Sequence, residues 1–196
     1  MSPLARKTRS AAEARERGEA ALLAAAEALV DEGAPFGDLP IETIAARAGY
    51  SRATFYAYFS DKRALALALG ERLAADLDGE ASGWLRDGRG ELRATLSGVR
   101  EVFARHRGAV TALVEAATYD EEVAAFWREL HERFLVRARE RVLRGQPGLD
   151  AAQADARAFA LVWSTERCLT EQLAAPRVDE DALIDALELF WRAATA

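Results

Sequence analysis

The stretch from Asp38 to Lys62 is the feature of this sequence that most limits how the chain can fold. Apolar residues recur there at i, i+3, i+4 and i+7, the spacing of a helix with one apolar face: Ile41, Ile44, Ala45 and Ala48. Gly49 favours the end of that helix, because glycine readily takes the left-handed conformation just beyond a helix. Ser51 is a typical N-cap for a second helix. The stretch therefore predicts two short helices joined by a tight turn, the helix-turn-helix arrangement that many proteins use to bind DNA.

The second of these helices, residues 51–59, has two faces of different chemistry. Phe55 and Phe59 lie four residues apart and are predicted to face inward, which leaves Ala53 and Ala57 on the outer face. Small side chains let a helix backbone approach the major groove, and longer polar ones reach base edges and phosphates. We expect base contacts from Arg52 and Thr54, phosphate contacts from Ser51, Tyr56, Tyr58 and Lys62, and close backbone approach at Ala53.

The run IAARAGYSRATFYAYFSDKRAL, residues 44–65, resembles the N-terminal DNA-binding domain of the TetR family of bacterial transcriptional repressors. The family motif runs I-A-x-x-A-G-V-S-x-G/A-T-F/L-Y-x-Y/H-F-x-x-K, and nearly every fixed position of it is filled. Tyr50 stands where Val or Ile is usual, and Pro40 where the family often has a Ser or Thr that caps the helix and contacts a phosphate. The resemblance implies a ligand-responsive transcriptional regulator, most often a repressor, that binds a palindromic DNA operator as a homodimer.

The overall charge does not at first favour DNA as a partner. The formal net charge is -6 at pH 7, whereas a DNA-binding domain is typically basic. Basic and acidic side chains are equal in number over residues 1–63, so the negative excess lies in residues 64–196. Residues 1–17 are locally basic, and residues 1–10 are expected to be disordered without DNA. This arm is either a DNA contact or a solvated tail, and DNA affinity that depends on it should be sensitive to salt.

Helical periodicity continues along the rest of the chain, with no alternating strand pattern and no Asn-Gly hairpin signal. Further helices are predicted at residues 11–32, 62–77, 91–105, 108–117, 121–143, 150–173 and 178–194. Residues 78–90 hold four glycines around Trp84 and are either a loop or a loosely ordered helix end. We expect an all-α protein of about nine helices, with a three-helix helix-turn-helix domain at residues 1–62. Residues 63–196 would form the helical bundle that, by the resemblance, binds ligand and dimerises.

The second part of the chain resembles the EthR-like regulators of actinobacteria within that family. The shared features are the segment VAAFW at residues 123–127, the run ERCL at residues 166–169, and a Trp near the C-terminus. This resemblance implies a tunnel-like pocket for a small hydrophobic ligand and a homodimer through helices 150–173 and 178–194. Carried over by position, the implied pocket residues are Phe103, Trp127, His131, Phe134, Trp163, Thr165 and Trp191. Thr165 stands where the resemblance leads us to expect Asn.

Three of these residues also share a face on spacing alone. Trp127, His131 and Phe134 follow i, i+4 and i+7. Such a stripe is more typical of an ordinary core, so the spacing leaves core and pocket open. Glu166 and Arg167 are expected to lie on a helix that faces its partner across the dimer.

Other classes of protein receive little support from the sequence. No Gly-rich phosphate loop, nucleophile elbow or metal-spaced histidine cluster is present, so we expect no catalytic site, no cofactor and no metal. Cys168 is the single cysteine and cannot form an internal disulfide. The apolar runs are too short to span a bilayer and no signal-peptide core is evident, which favours a cytoplasmic protein without a membrane partner. Two alternatives stay open: a helical small-molecule binding protein with a vestigial helix-turn-helix, and an enzyme dependent on His131 or Cys168.

Overall fold

The computed structural model of the protein describes the backbone of residues 3–196 and the side chains from residue 12 onward. Within these residues the chain forms nine α-helices and no strand, which confirms the all-helical prediction. The helices are α1 Pro3–Asp31, α2 Ile41–Arg47, α3 Arg52–Tyr58, α4 Lys62–Asp87, α5 Leu92–Arg105, α6 Arg107–Ala116, α7 Glu121–Gly145, α8 Ala151–Ala174 and α9 Glu180–Thr195. None of the helices in this part of the chain is long and apolar enough to cross a membrane.

Helix α1 begins at Pro3, whereas the sequence predicts a start at residue 11. The expected disorder of residues 1–10 is therefore not found from Pro3 onward, and residues 1 and 2 lie outside the described backbone. Of the basic side chains in residues 1–17, Arg6, Lys7 and Arg9 lie outside the described side chains. The role of this arm on DNA stays a prediction.

The described chain divides by packing into two compact units. The first contains residues up to Gly70 together with Gly108–Ala124, and the second contains Glu71–Arg107 together with Ala125–Ala196. This division differs from the predicted domain boundary after residue 62, because it assigns almost all of helix α6 and the turn after it to the first unit. The functional roles expected of residues 1–62 and 63–196 stay predictions.

Helix α4 is longer than the predicted helix at residues 62–77. It continues without a break through Asp87, so the glycine-containing residues 78–87 are helical. After the end of α4 the left-handed conformation appears at Gly88, with φ 66°, and at Gly90, with φ 84°. Ala81, Trp84 and Leu85 are buried along this part of the helix. The free energy gained by burying these three side chains exceeds the cost of about 1 kcal/mol that each glycine adds inside a helix.

The core of the first unit lies where α1, α2 and α3 meet. Leu22, Ala26, Ile44, Ala45 and Phe55 are all fully buried there.

Two glycines of this unit allow close helix contacts. A Cβ on Gly18 would lie 2.1 Å from the Tyr58 hydroxyl, and a Cβ on Gly108 would lie 2.4 Å from the carbonyl oxygen of Glu27. Glycine is therefore required at Gly108, where the neighbour is backbone, whereas at Gly18 the tyrosine side chain could move.

In the second unit, α5, α8 and α9 pack against one another around buried Leu96, Leu169 and Leu187. Asp150 begins α8 with a capping box, in which its carboxylate accepts from the N–H of Gln153 at 2.8 Å. Asp179 is the N-cap of α9, where its carboxylate accepts from the N–H of Ala182 at 2.9 Å without a capping box. These caps set where the two C-terminal helices start, each within two residues of its predicted start.

Candidate nucleic-acid interface and ligand cavity

The two short helices expected between Asp38 and Lys62 are present as α2 and α3. Gly49, in the turn between them, has φ 78°, which is the left-handed conformation expected for it. Ser51 is the N-cap of α3, and its hydroxyl oxygen accepts a hydrogen bond from the N–H of Thr54 at 3.1 Å. The local geometry predicted for the helix-turn-helix is thus confirmed.

Helix α3 turns its phenylalanines inward and its small residues outward. Phe55 is fully buried and Phe59 is 5% exposed, as the four-residue spacing predicts. Ala53 and Ala57 are exposed on the opposite side. Among the predicted DNA contacts, Ser51, Arg52 and Tyr56 are exposed, and Thr54 and Tyr58 are half-buried. The outer face is therefore open to a groove, and the individual DNA contacts stay predictions.

Arg52, the foremost predicted base contact, already has partners within the helix-turn-helix. Its Nη1 forms an ion pair with the carboxylate of Glu42 on α2, and its Nη2 donates to the Tyr56 hydroxyl at 3.3 Å. Its guanidinium carbon also lies 5.6 Å from the centre of the Tyr56 ring. The ion pair is exposed on both sides, so it is weak and an acceptor on DNA can displace the carboxylate.

Lys62, which is expected to contact a phosphate, has partners within the protein. Its ammonium group donates to the backbone carbonyls of Phe36, at 3.0 Å, and Gly37. Glu115 of α6 accepts from the N–H groups of the same two residues, at 2.8 and 2.7 Å. Burial lowers the pKa of Lys62 from its ordinary value. Lys62 therefore holds the segment that precedes α2 in place, and its contact with a phosphate stays a prediction.

Tyr58 is held by helix α1. The guanidinium carbon of Arg15 lies 5.4 Å from the centre of the Tyr58 ring, and Nη1 of Arg15 donates to the carbonyl oxygen of Ala57 at 3.3 Å. In the sequence, Arg15 is one of several basic residues in the segment 1–17. In the structure, its positive charge lies at the C-terminal end of α3. Arg15 is thus a further candidate for phosphate contact.

A cavity lies in the second unit between α4, α5, α7, α8 and α9. It holds about 730 Å³ of space, including its opening to solvent. Most of the wall is apolar, and the polar exceptions are Thr95, His131, Thr165 and Glu166. The lining residues are Leu77, Ala81, Trp84, Leu85, Leu92, Thr95, Leu96, Val99, Phe103, Trp127, Leu130, His131, Phe134, Val162, Thr165, Glu166 and Trp191. Apolar walls with a few polar groups are the usual makeup of a small-molecule site.

All but one of the expected pocket residues line this cavity: Phe103, Trp127, His131, Phe134, Thr165 and Trp191. Trp163 does not line it. Its ring stacks on the His131 ring with centroids 4.1 Å apart, and 36% of its surface is exposed. Each residue of a helix is turned by about 100° from the one before, so Trp163 faces away from the direction of Val162 and Thr165. Contact of any lining residue with a ligand stays a prediction.

Trp84 and Glu166 also line the cavity, and the sequence alone does not predict this position for either of them. Trp84 of the extended α4 lies edge-on to Trp191, with ring centroids 5.5 Å apart. Glu166, expected at a dimer face, lines the cavity, while its neighbour Arg167 is exposed and pairs with Glu171 at 2.8 Å. Helical periodicity would place Glu166 beside Val162, but that pattern alone does not indicate that a carboxyl group is tolerated in an apolar wall.

The polar groups of the cavity have defined partners. The Thr165 hydroxyl oxygen accepts from the buried indole Nε1 of Trp191 at 2.9 Å. Nδ1 of His131 lies 2.9 Å from the carbonyl oxygen of Trp127 and donates to it, since a carbonyl can only accept. Burial raises the pKa of the Glu166 carboxyl group, and the nearby His131 opposes that shift.

Two family models match the chain. Residues 22–69 match the model described as bacterial regulatory proteins of the tetR family, and residues 92–195 match the C-terminal domain of the transcriptional regulator EthR. The second match covers more than half of the chain. The chain therefore belongs to the TetR family of transcriptional regulators, with an EthR-type C-terminal domain.

Known relatives agree with this assignment. The HTH-type transcriptional regulator EthR of Mycobacterium tuberculosis (strain ATCC 25618 / H37Rv) is 29% identical over 202 residues, covering 97% of this chain and 93% of that protein. EthR of Mycolicibacterium smegmatis is 30% identical over 134 residues, covering 66% and 61%. A TetR-like transcriptional regulator from Rhodococcus sp. RHA1 has the same fold, with a TM-score of 0.72 at 22% identity and coverage of 90% and 94%. The protein is thus a transcriptional regulator with a DNA-binding helix-turn-helix, and not an enzyme.

Proposed function

We propose that this protein is a repressor that binds a palindromic DNA operator as a homodimer and is released by a small, largely hydrophobic ligand. The observation that carries the proposal is the presence, in one chain, of an open recognition face on α3 and a mostly apolar cavity in the second unit. The first suits DNA and the second suits an apolar small molecule. A protein with both has the two sites that a ligand-controlled regulator needs.

For DNA, the proposal assigns helix α3 to the major groove. Exposed Ala53 and Ala57 allow close approach, and Arg52 and Thr54 contact bases. Ser51, Tyr56 and Tyr58 contact phosphates, and Arg15 supplies a positive charge nearby. Lys62 contributes by holding the segment before α2 in place.

For the dimer, the proposal uses the exposed apolar side chains of the last two helices. Phe159 on α8 is 59% exposed, and Leu189 and Phe190 on α9 are 64% and 55% exposed. Trp163 lies one turn after Phe159, with ring centroids 6.0 Å apart. Such residues lose contact with water when a second copy packs on them, and a symmetric pair of protomers matches a palindromic operator.

For release, the proposal rests on a difference in ligand affinity between two conformations. A ligand that prefers a conformation with mis-spaced recognition helices lowers operator affinity by the same factor by which it prefers that conformation. A cavity lined by five helices suits this role, because filling it changes how those helices pack. Bound ligand should therefore lower the affinity for DNA, and bound DNA should lower the affinity for the ligand by the same factor.

The test combines a mobility-shift assay with a thermal-shift screen. The full chain is titrated onto DNA from upstream of its own coding sequence, with and without apolar compounds that raise its melting temperature. We expect stabilising compounds to lower DNA affinity. We expect Val99→Phe, which fills part of the cavity, to reduce both the thermal stabilisation by these compounds and their effect on DNA affinity.

Two outcomes would contradict the proposal. Compounds that stabilise the protein without changing its affinity for DNA would mean that the cavity does not control DNA binding. Ligand binding with no DNA binding to any sequence would favour a small-molecule binding protein with a vestigial helix-turn-helix.

A further inference from the structure

We propose that the cavity accepts a ligand with an apolar body and a protonated amine, and that Glu166 is the counter-ion of that amine. This inference rests on the proposed role of the cavity as a ligand site and adds the chemical class of the ligand. It makes Glu166 a specificity-determining residue.

The first observation is the position of a carboxyl group in a mostly apolar wall. Glu166 lines the cavity from α8, next to Val162 and Thr165, and no lysine or arginine is among the lining residues. The hydrogen bond that it accepts from the Thr170 hydroxyl is long, at 3.4 Å. The adjacent Arg167 is exposed and pairs with Glu171. The wall therefore holds a carboxyl group without a lysine or arginine partner inside the cavity, and His131 is the other ionisable side chain among the lining residues.

The second observation concerns the other polar groups of the wall. Nδ1 of His131 donates to a backbone carbonyl, so in the neutral ring Nε2 is left as an acceptor. The Thr165 oxygen already accepts the Trp191 indole N–H. A ligand that donates hydrogen bonds and carries positive charge matches acceptors of this kind. A ligand carboxylate would instead meet Glu166 as a like charge.

The third observation is the aromatic content of the wall. Phe103, Trp127, Phe134 and Trp191 all line the cavity. The faces of such rings attract cations, most strongly when water is excluded. Burial raises the pKa of Glu166, which means that the ionised carboxylate is disfavoured in the empty cavity. A cation beside it restores the ionised form, and an apolar chain fills the rest of the space.

The test compares three ligands that share one apolar body: decylamine, decanol and decanoate, each below its micelle concentration. Binding to the full chain is measured by calorimetry at neutral pH. We expect decylamine to bind at least about tenfold more tightly than decanol, and decanoate to bind most weakly. In Glu166→Gln the amine should lose this advantage, while decanol binds as in the wild type.

A matched control variant tests whether the amine is attracted to the acidic protein in general rather than to Glu166. Glu171→Gln takes the same charge from the same helix, but Glu171 does not line the cavity. The preference for decylamine should survive in this control variant. Equal loss of preference in both variants would overturn the inference.

A pH series on the wild type tests the same point if Glu166→Gln fails to fold. The amine stays protonated at acidic pH, so its advantage over decanol should shrink as pH falls and Glu166 becomes neutral. The advantage should shrink in the same way in His131→Gln, where Glu166 is the one ionisable side chain left among the lining residues. A constant advantage across the series, or equal binding of amine and alcohol, would overturn the assignment of Glu166 while leaving the cavity as a ligand site. Failure of all three compounds to bind would overturn both the inference and the proposed ligand role.

Discussion

The guanidinium group of Arg52 is paired with the carboxylate of Glu42 across the turn of the helix-turn-helix, and its second nitrogen lies 3.3 Å from the Tyr56 hydroxyl. The side chain assigned to base recognition is therefore held by one acidic and one aromatic partner before DNA arrives. We expect the carboxylate to compete with phosphates for the guanidinium on random DNA. On the operator, we expect a guanine edge with two acceptors to replace the carboxylate.

Changing either member of this pair should alter selectivity for DNA. Arg52→Ala should lower affinity for the operator by about ten- to a hundredfold while changing affinity for random DNA little. Glu42→Gln should raise affinity for random DNA several-fold and lower the ratio of operator to random binding, because one repulsive charge is removed and the arginine is less restrained. Fluorescence anisotropy titrations on both DNAs at one salt concentration measure these ratios.

Glu32→Gln is the control for this experiment. It releases Arg47 from a similar exposed pair, but Arg47 is not among the predicted DNA contacts. We expect a smaller change of the operator-to-random ratio than in Glu42→Gln. A ratio that stays constant in Glu42→Gln would mean that the pair has no part in selectivity.

Glu115 should stabilise the first unit through the two backbone amides that it accepts from. Its carboxylate lies 2.8 Å from the nitrogen of Phe36 and 2.7 Å from that of Gly37. Glu115→Ala removes both acceptors and should lower the free energy of unfolding by about 1–3 kcal/mol. Glu115→Gln keeps one acceptor oxygen and should lower it less. Urea unfolding measures the difference, and equal losses in the two variants would argue against the hydrogen bonds as the cause.

The Thr165 hydroxyl should matter for stability because it is the acceptor of the buried Trp191 indole N–H, at 2.9 Å. Thr165→Val has nearly the same shape but leaves that N–H without a partner, so the unfolding free energy should fall by about 1–3 kcal/mol. Thr165→Ser keeps the hydroxyl and should lose less. If Val and Ser variants are equally stable, the hydrogen bond does not hold the two helices together.

The exposed residues of α9 should control the oligomeric state. Leu189→Glu places a charge at a position that is 64% exposed in one chain and buried in the proposed dimer. We expect this variant to sediment as a monomer at concentrations where the wild type is a dimer. Val136→Glu, at a 48% exposed position on α7, is the matched control and should remain dimeric. Dissociation of both variants, or of neither, would contradict an interface on α8 and α9.

The helix-turn-helix could be predicted from the sequence nearly in full, because its signals are local. The φ of Gly49, the cap at Ser51 and the burial of Phe55 each depend on a few neighbouring residues. The partners of Lys62 could not be predicted, since they come from residues distant in the chain, Phe36 and Gly37. An exposed lysine and a lysine that bonds backbone carbonyls look the same in a sequence.

In the second unit, the features that could not be predicted from the sequence also depend on tertiary contacts. The glycines at residues 79 and 83 favour a loop locally, but burial of Trp84 keeps them in α4. The resemblance places both Trp163 and Thr165 in the pocket, and only the packing of α8 shows that Thr165 lines the cavity while Trp163 stacks outside it. Family resemblance located most of the pocket, but the carboxyl group of Glu166 became visible only in the structure.

We propose that helix α3 recognises a specific DNA sequence, and selection from a random DNA pool tests this recognition. The wild-type chain and an Arg52→Ala, Thr54→Ala double variant are each used to enrich bound sequences over several rounds. We predict that the wild type enriches a palindromic sequence, bound at least about a thousandfold more tightly than the starting pool, and that the double variant does not. No enrichment by the wild type, or the same enriched sequence from both proteins, would contradict the claim.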